Sequence, residues 1–318
     1  MSVGEGQAPD QEIRSFGDRL SNWGAWGPDD EVGALNYAGA AQVVRAAGLV
    51  QTGEVISLSI PIQTGVGPQD GSIGRFNPIH TMTWTGNPPG PIDMGAGADF
   101  CDGLIVMPTQ GTTQWDALCH TFYDGKIYNG RRAADIGPQG SPHAHIAQAT
   151  ERFVGRGVLL DIAGLLDVQA LDTDYSITSA DLSACCARQG VDVGEGDFVL
   201  IRTGMMSRVR TDDWTAFRGP QPGLEYQALE WCHEHRLAAI ASDNTSVEVY
   251  LKETLRGIVA PLHRVALRDM GLHLGELWSL EELALACSGD ERYDFMLVAQ
   301  PLRIVGGSGS PVNPLAIR

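Results

Sequence analysis

An α/β fold class follows from three observations on the sequence. The runs GRGVLLDIAG (155–164), DFVLIRTG (197–204) and LAAIAS (237–242) are short, continuous and apolar, as strands buried on both faces must be. The segments between them carry helical spacing or helix-capping residues. The alternation continues to the C-terminus with no linker-like stretch, which predicts one sheet, α/β or mixed α+β, within one domain.

Taken in order, residues 1–20 are polar and Gly-bearing and are expected to form a flexible N-terminal arm, leaving 21–318 as a single domain. Residues 37–48 (YAGAAQVVRAAG) have helical spacing, with Gly48 as the stop. In EVISLSIPIQ (54–63), Ile56, Leu58 and Ile60 alternate as in a strand. Residues 64–100 are rich in Gly, Pro, Asn and Asp, an irregular stretch of the kind that carries function. Thr178 with Asp181 three residues on begins a helix that Gly190 ends. A helix is expected over 224–236 and another after a Ser279–Glu282 cap, where Glu281 and Glu282 suit the first turn and need no other role. FMLVAQPLRIVG (295–306) reads as two short strands broken at Pro301.

Composition removes several functions. With 22 Lys+Arg against 39 Asp+Glu the formal charge is −17, which argues against nucleic acid or an anionic membrane as partner. No apolar run is long enough to span a bilayer and no export leader opens the chain, so a cytoplasmic protein is expected. The 39 glycines and 17 prolines are dispersed rather than repetitive, which implies many turns. The six cysteines show no CxxC pair or disulfide-like spacing.

Because P-loop, HExxH and GxSxG motifs are absent, candidate chemistry rests on His, Asp and Glu near turns. The densest segment is QGTTQWDALCHTFYDGKIYNG (110–130). Asp116 and His120, four apart, would face one way on a helical turn and could share a Zn²⁺ or Mn²⁺, with Trp115 and Tyr123 as an apolar wall. Downstream, His263 follows Pro261, and Glu276 sits between Gly275 and an apolar Leu–Trp pair rather than on a solvated face. His80, after Pro78, is a candidate pocket residue. His143 and His145 read as part of a polar loop, His233 and His235 as solvated positions, and Cys119 as packing. Ser246 with Asp243 nearby lacks a nucleophile elbow.

Together, SNWGAWGPDDEVGALN (21–36), RFNPIHTM (75–82), TQWDALCHTFYDGKIYNG (113–130), GRGVLLDIA (155–163), GDFVLIRTG (196–204), ASDNTSVE (241–248), LHRVALRDMGLHLGE (262–276) and GSGSPVNPLAI (307–317) resemble the cyclase family that includes bacterial kynurenine formamidase and isatin hydrolase. The resemblance is strongest to a longer branch of that family. It implies a swivelling β/α fold with a central barrel-like mixed sheet surrounded by helices, a homodimer or homotetramer, and metal-dependent hydrolysis of small, often cyclic or aromatic, amides. The family signature is H-x-G-T-H-x-D-x-x-x-H, completed by a distant His and Glu. Asp116 and His120 match its Asp and last His, His263 and Glu276 match the distant pair, and Gln110 and Gln114 stand where its first two histidines would be. Glutamine is a poor substitute for imidazole as a ligand, so the four retained groups are expected to hold one divalent ion, Mn or Zn, with Gln110 and Gln114 orienting substrate or water. Such an ion would activate water against a small cyclic or aryl amide, or a lactone. Two rival readings stay open on the residues alone. One is a metal-independent cyclase or lyase in which Asp116 orients His120 as acid/base while the glutamines and His80 bind substrate; the other is a non-catalytic small-molecule binding protein.

Overall fold

The computed structural model describes residues 7–87, 92, 94–250 and 259–318. In chain order the elements are α1 (Gln7–Leu20), α2 (Ala40–Ala47), β1 (Val55–Ser57), β2 (Ile79–Trp84), β3 (Asp102–Val106), β4 (Gln114–Asp116), β5 (Val154–Asp161) and α3 (Ile162–Leu165). They continue with β6 (Ser176–Ile177), α4 (Ser179–Gln189), β7 (Phe198–Arg202), β8 (Gly223–Leu224), α5 (Leu229–Glu234), β9 (Ala239–Ser242) and α6 (Pro261–His263), which opens into a π-helical turn over Arg264–Met270. The last are β10 (His273–Glu276), α7 (Glu281–Asp290), β11 (Asp294–Val298), β12 (Gly309–Pro311) and β13 (Leu315–Ile317).

Nine strands make one mixed sheet, curled as a half-barrel, in the order β1-β13-β11-β5-β7-β9-β10-β4-β12. Strands β5, β7, β9 and β10 run parallel, while β4 and β12 extend the sheet antiparallel. The parallel centre explains the continuous apolar runs: Val158–Leu160, Phe198–Ile201 and Ala239–Ala241 are buried, because helices or loops cover both faces. The expected α/β class with a barrel-like sheet and flanking helices is the fold observed. Among the described residues no helix is long and apolar enough to cross a membrane.

Local signals hold where side chain and backbone agree. Thr178 accepts from Asp181 N while Asp181 accepts from Thr178 N, and Gly190 closes α4 with a left-handed φ of 64°. Several expectations are corrected. Residues 7–20 are not an arm but helix α1, whose Ile13, Phe16 and Leu20 enter the main core; the face spaced by three and four residues outweighs the polar composition. Only Val55–Ser57 of the 54–63 run pairs in the sheet, although Leu58 and Ile60 are buried beyond it. The helix expected from 224 begins as α5 at Leu229. Ser279 does not cap α7: its N–H bonds to Leu58 O at 2.8 Å, Leu280 is the N-cap, and Glu281 pairs with Arg202 (2.7 Å) instead of lying free in solvent. After β11 no second strand follows Pro301 before β12.

Strand β2, within the irregular stretch, pairs antiparallel with β3 just after it, and Ile79, Met82, Leu104, Ile105 and Val106 of the two are all exposed.

Candidate metal centre and active site

Strands β4 and β10 deliver the site. Glu276 lies directly opposite Gln114 in the antiparallel pair, and opposite residues share a face. Asp116, two residues from Gln114, shares it too, while Trp115 must point the other way. Gln114 Nε2 donates to Glu276 Oε2 at 2.5 Å. Gly275 is required here: a Cβ would meet Ala241, Trp115 and Trp278 within 2.8 Å. The main-chain carbonyl of Asp116 accepts from His273 Nδ1 at 2.8 Å, which anchors the end of β4.

His263 arrives from the first turn of α6, with Pro261 at its first position. Glu248, in the loop after β9, does two jobs there. Its carboxylate accepts from Leu262 N (3.1 Å) and His263 N (3.3 Å), capping the helix with a negative charge, and also accepts from His263 Nδ1 at 2.5 Å. This leaves Nε2 of His263 facing Glu276 Oε1 at 3.0 Å and Asp116 Oδ2 at 3.7 Å. A carboxylate that accepts from the far nitrogen of an imidazole fixes its tautomer and orientation, the usual support of a ligating histidine.

His120 is not on a helix with Asp116. The strand ends at Asp116 and a turn, closed by His120 N to Ala117 O at 2.9 Å, swings the imidazole back so that Nε2 stands 3.9 Å from Asp116 Oδ1. Its Nδ1 lies 3.5 Å from Gln110 Nε2, which also donates to Ser308 Oγ at 3.2 Å.

Burial sets the protonation states. Asp116 is pushed up to about 6 chiefly by loss of solvation, with the Glu276 charge adding to the rise and His120 and His263 opposing it. Burial lowers His120 and keeps it neutral near pH 7. Burial also disfavours the charged form of His263, but its bonds to Glu248 and Glu276 outweigh that and hold it well above the ordinary range.

Asp116, His263 and Glu276 each offer a ligand atom, all within 4.8 Å of one another and all buried. Both carboxylate oxygens of Asp116 and the Oε1 of Gln114 are buried without a hydrogen-bond partner. Buried polar oxygens are rarely left so. Two carboxylates, an imidazole and a neighbouring neutral histidine suit a borderline divalent ion, so the residues fit a metal of the zinc or manganese kind.

Beside this cluster opens a cavity of about 580 Å³, lined among others by Arg75, His120, Leu224, Tyr226, Ser246, Tyr250, His263 and Glu276. Of the sequence candidates, Asp116, His120, His263 and Glu276 are brought together. Gln110 and Gln114 sit behind them, bonded to Ser308 and Glu276 rather than lining the cavity. Three candidates lie elsewhere. Trp115 is in the core against Phe153 and Trp278, donating to Ala299 O at 2.9 Å. Tyr123 donates to Asp269 Oδ2 at 2.7 Å under the guanidinium of Arg268, and His80 lies on the exposed hairpin. Sequence reasoning missed Glu248, His273 and Arg75. The first closes the SDNTSVE segment, in which the Ser246 hydroxyl donates to the Glu248 main-chain carbonyl at 2.9 Å.

The family model described as "Putative cyclase" matches residues 56–249. A solved structure described as a novel cyclase is 40% identical with a TM-score of 0.86, over 95% of this chain and 99% of that one. An isatin hydrolase bound to the product analogue thioisatinate is 18% identical, with a TM-score of 0.61 over 87% of this chain and 94% of its own. Isatin hydrolase A from Ralstonia solanacearum is 20% identical, with a TM-score of 0.61 over the same shares. The last two likenesses are of fold. No match to a curated protein was found.

Proposed function

The chain belongs to the cyclase family, and from that premise we propose that it hydrolyses a small cyclic or aryl amide, or a lactone, at a centre holding one divalent metal ion. The observation that carries the reading is the buried trio Asp116, His263 and Glu276, with both Asp116 oxygens unpartnered, at the edge of a cavity of about 580 Å³. Asp116, His263 and Glu276 would hold the ion, with His120 beside them. When bound, such an ion lowers the pKa of water towards neutrality and polarises a carbonyl oxygen.

The protein's own groups account for the rest. Glu248 accepts from His263 Nδ1–H and so presents Nε2 inward. Gln114 restrains Glu276 by binding its second oxygen, and leaves the first towards His263. His120 lines the cavity as a neutral imidazole, able to take a proton from an attacking water and return it to the departing nitrogen or oxygen. The apolar wall of Leu224, Val249 and Pro261 suits a ring.

Protein purified without chelator should contain about one Zn or Mn per chain by elemental analysis, and a panel of cyclic amides, aryl formamides and lactones should yield at least one substrate. Chelation should abolish its turnover, and His120→Ala should slow it by about 10²–10⁴-fold, the range for loss of a general acid/base. Metal-free protein that turns over in the presence of chelator would overturn the metal half. A substrate hydrolysed equally well by His120→Ala would remove His120 from the chemistry.

A further inference from the structure

We propose that Arg75 is a specificity-determining residue that pairs with a carboxylate carried by the substrate, so the amides or lactones taken are acidic ones. The inference rests on the hydrolase reading above and narrows its substrate class. Arg75 lies in the irregular stretch before the β2–β3 hairpin, half-buried, and lines the same cavity as His120, His263 and Glu276. Among the described residues it is the one Lys or Arg in that lining, and no hydrogen bond or ion pair engages it. The other formal charges on the wall are carboxylates, Glu225, Glu248 and Glu276, with Asp116 buried behind.

That arrangement selects by charge and by position. Among the described residues of the wall, Arg75 is the unpaired cation on which an anion can settle away from the carboxylates. A neutral ligand filling the cavity strips water from the guanidinium without replacing its hydrogen bonds, which is costly for a charged donor. A carboxylate replaces them bidentately, since the planar fork of guanidinium matches its two oxygens. The charge of Arg75 is also felt at Asp116 and His120, where it favours the deprotonated form of each, so the anchor and the chemistry share one space. A substrate held by its carboxylate at Arg75 lies in the cavity that His120 also lines.

The test uses the full-length protein with its metal content measured, and benzoate against benzamide as probes that differ in charge but hardly in shape. By calorimetry, wild type should bind benzoate about 10- to 100-fold more tightly than benzamide, the range for one charged hydrogen-bonded pair. Arg75→Gln, checked for an unchanged melting temperature, should reduce that ratio to about 1, and Arg75→Lys should retain part of it. Equal binding of the two probes by wild type, no binding of either, or a preference that survives in Arg75→Gln would each overturn the proposal; the last would put the carboxylate on the metal or elsewhere. Turnover is read separately on N-formylanthranilate and formanilide. If nothing in the panel of cyclic amides, aryl formamides and lactones, these two included, is hydrolysed while the benzoate preference depends on Arg75, the anchor holds and the hydrolase reading is what fails.

Discussion

Asp116 carries the largest electrostatic cost in the site: a carboxylate with no exposed surface and no hydrogen bond to either oxygen. Its neighbours relieve that cost only in part. His120 and His263 are 3.9 and 3.7 Å away, beyond hydrogen-bond reach, and Glu276 adds a second negative charge. The same distance weakens the metal-free reading, because a carboxylate 3.9 Å from an imidazole does not orient it as a dyad does. The sign of the pH dependence follows. The carboxyl is raised to about 6 in the folded, metal-free protein against an ordinary value of 3.8, so the fold binds the proton more tightly than the unfolded chain. The penalty is absent below about pH 4 and complete above about pH 6. Asp116→Asn should therefore stabilise the metal-free protein at pH 8 by on the order of 1–3 kcal/mol, and by less at pH 5, while abolishing metal binding. Denaturant melts of chelated wild type and variant at the two pH values measure this. A variant less stable than wild type at pH 8 would mean that Asp116 finds a partner in solution that the fold does not provide.

At the scale of elements, the cavity is braced by a helix remote from it in sequence. Phe16 of α1 packs edge-on against Tyr226 at 5.2 Å, and Glu12 accepts the Tyr226 hydroxyl at 2.8 Å; Tyr226 is a wall of the cavity. Phe16→Ala should cost about 3 kcal/mol, as expected for a buried aromatic, and should raise KM more than it lowers kcat, because it loosens a wall and leaves the ligands in place. Equal effects on the two constants would instead place α1 in support of the catalytic groups. This helix also shows what a single sequence hides. Residues 1–20 look polar on average, and their apolar face acquires meaning only from Tyr226 and the π-helical turn they meet. Strands buried on both faces and the Thr178–Asp181 box were legible because their signals are local. Asp116 and His120 were legible from their local spacing, and the distant His263 and Glu276 through the resemblance of the blocks that carry them. Glu248 and Arg75 were not, since one acts through a helix that begins after residue 258 and the other through a cavity assembled from distant loops. Trp115 lies in the core, not on the cavity wall, for a simple reason: its segment is a strand rather than a helical turn, and adjacent residues of a strand face opposite ways.

For the whole molecule, the sheet concentrates its unmet polarity at one edge. Strands β9 and β10 run parallel and end together, so the loop bearing Glu248 and the terminal Glu276 reach the same place, where antiparallel β4 adds Asp116. A fold with formal charge −17 has thus buried several carboxylates against one another, an arrangement that favours a cation far more in the folded chain than in the unfolded one. Ligands that bind only the folded state stabilise it by mass action, by about 2.7 kcal/mol at a hundred times Kd. Scaled by the unfolding entropy typical of a chain of 318 residues, that is a rise in Tm of about 4 °C. Titration of chelated protein with Zn or Mn should show this rise, saturating at one ion per chain, and it should vanish in Asp116→Asn. The rise should also weaken below about pH 6, where a proton competes for Asp116. A Tm indifferent to both ions would mean that the buried carboxylates are accommodated by protonation alone, and would leave His120, still neutral and facing the cavity, as the group through which catalysis must proceed.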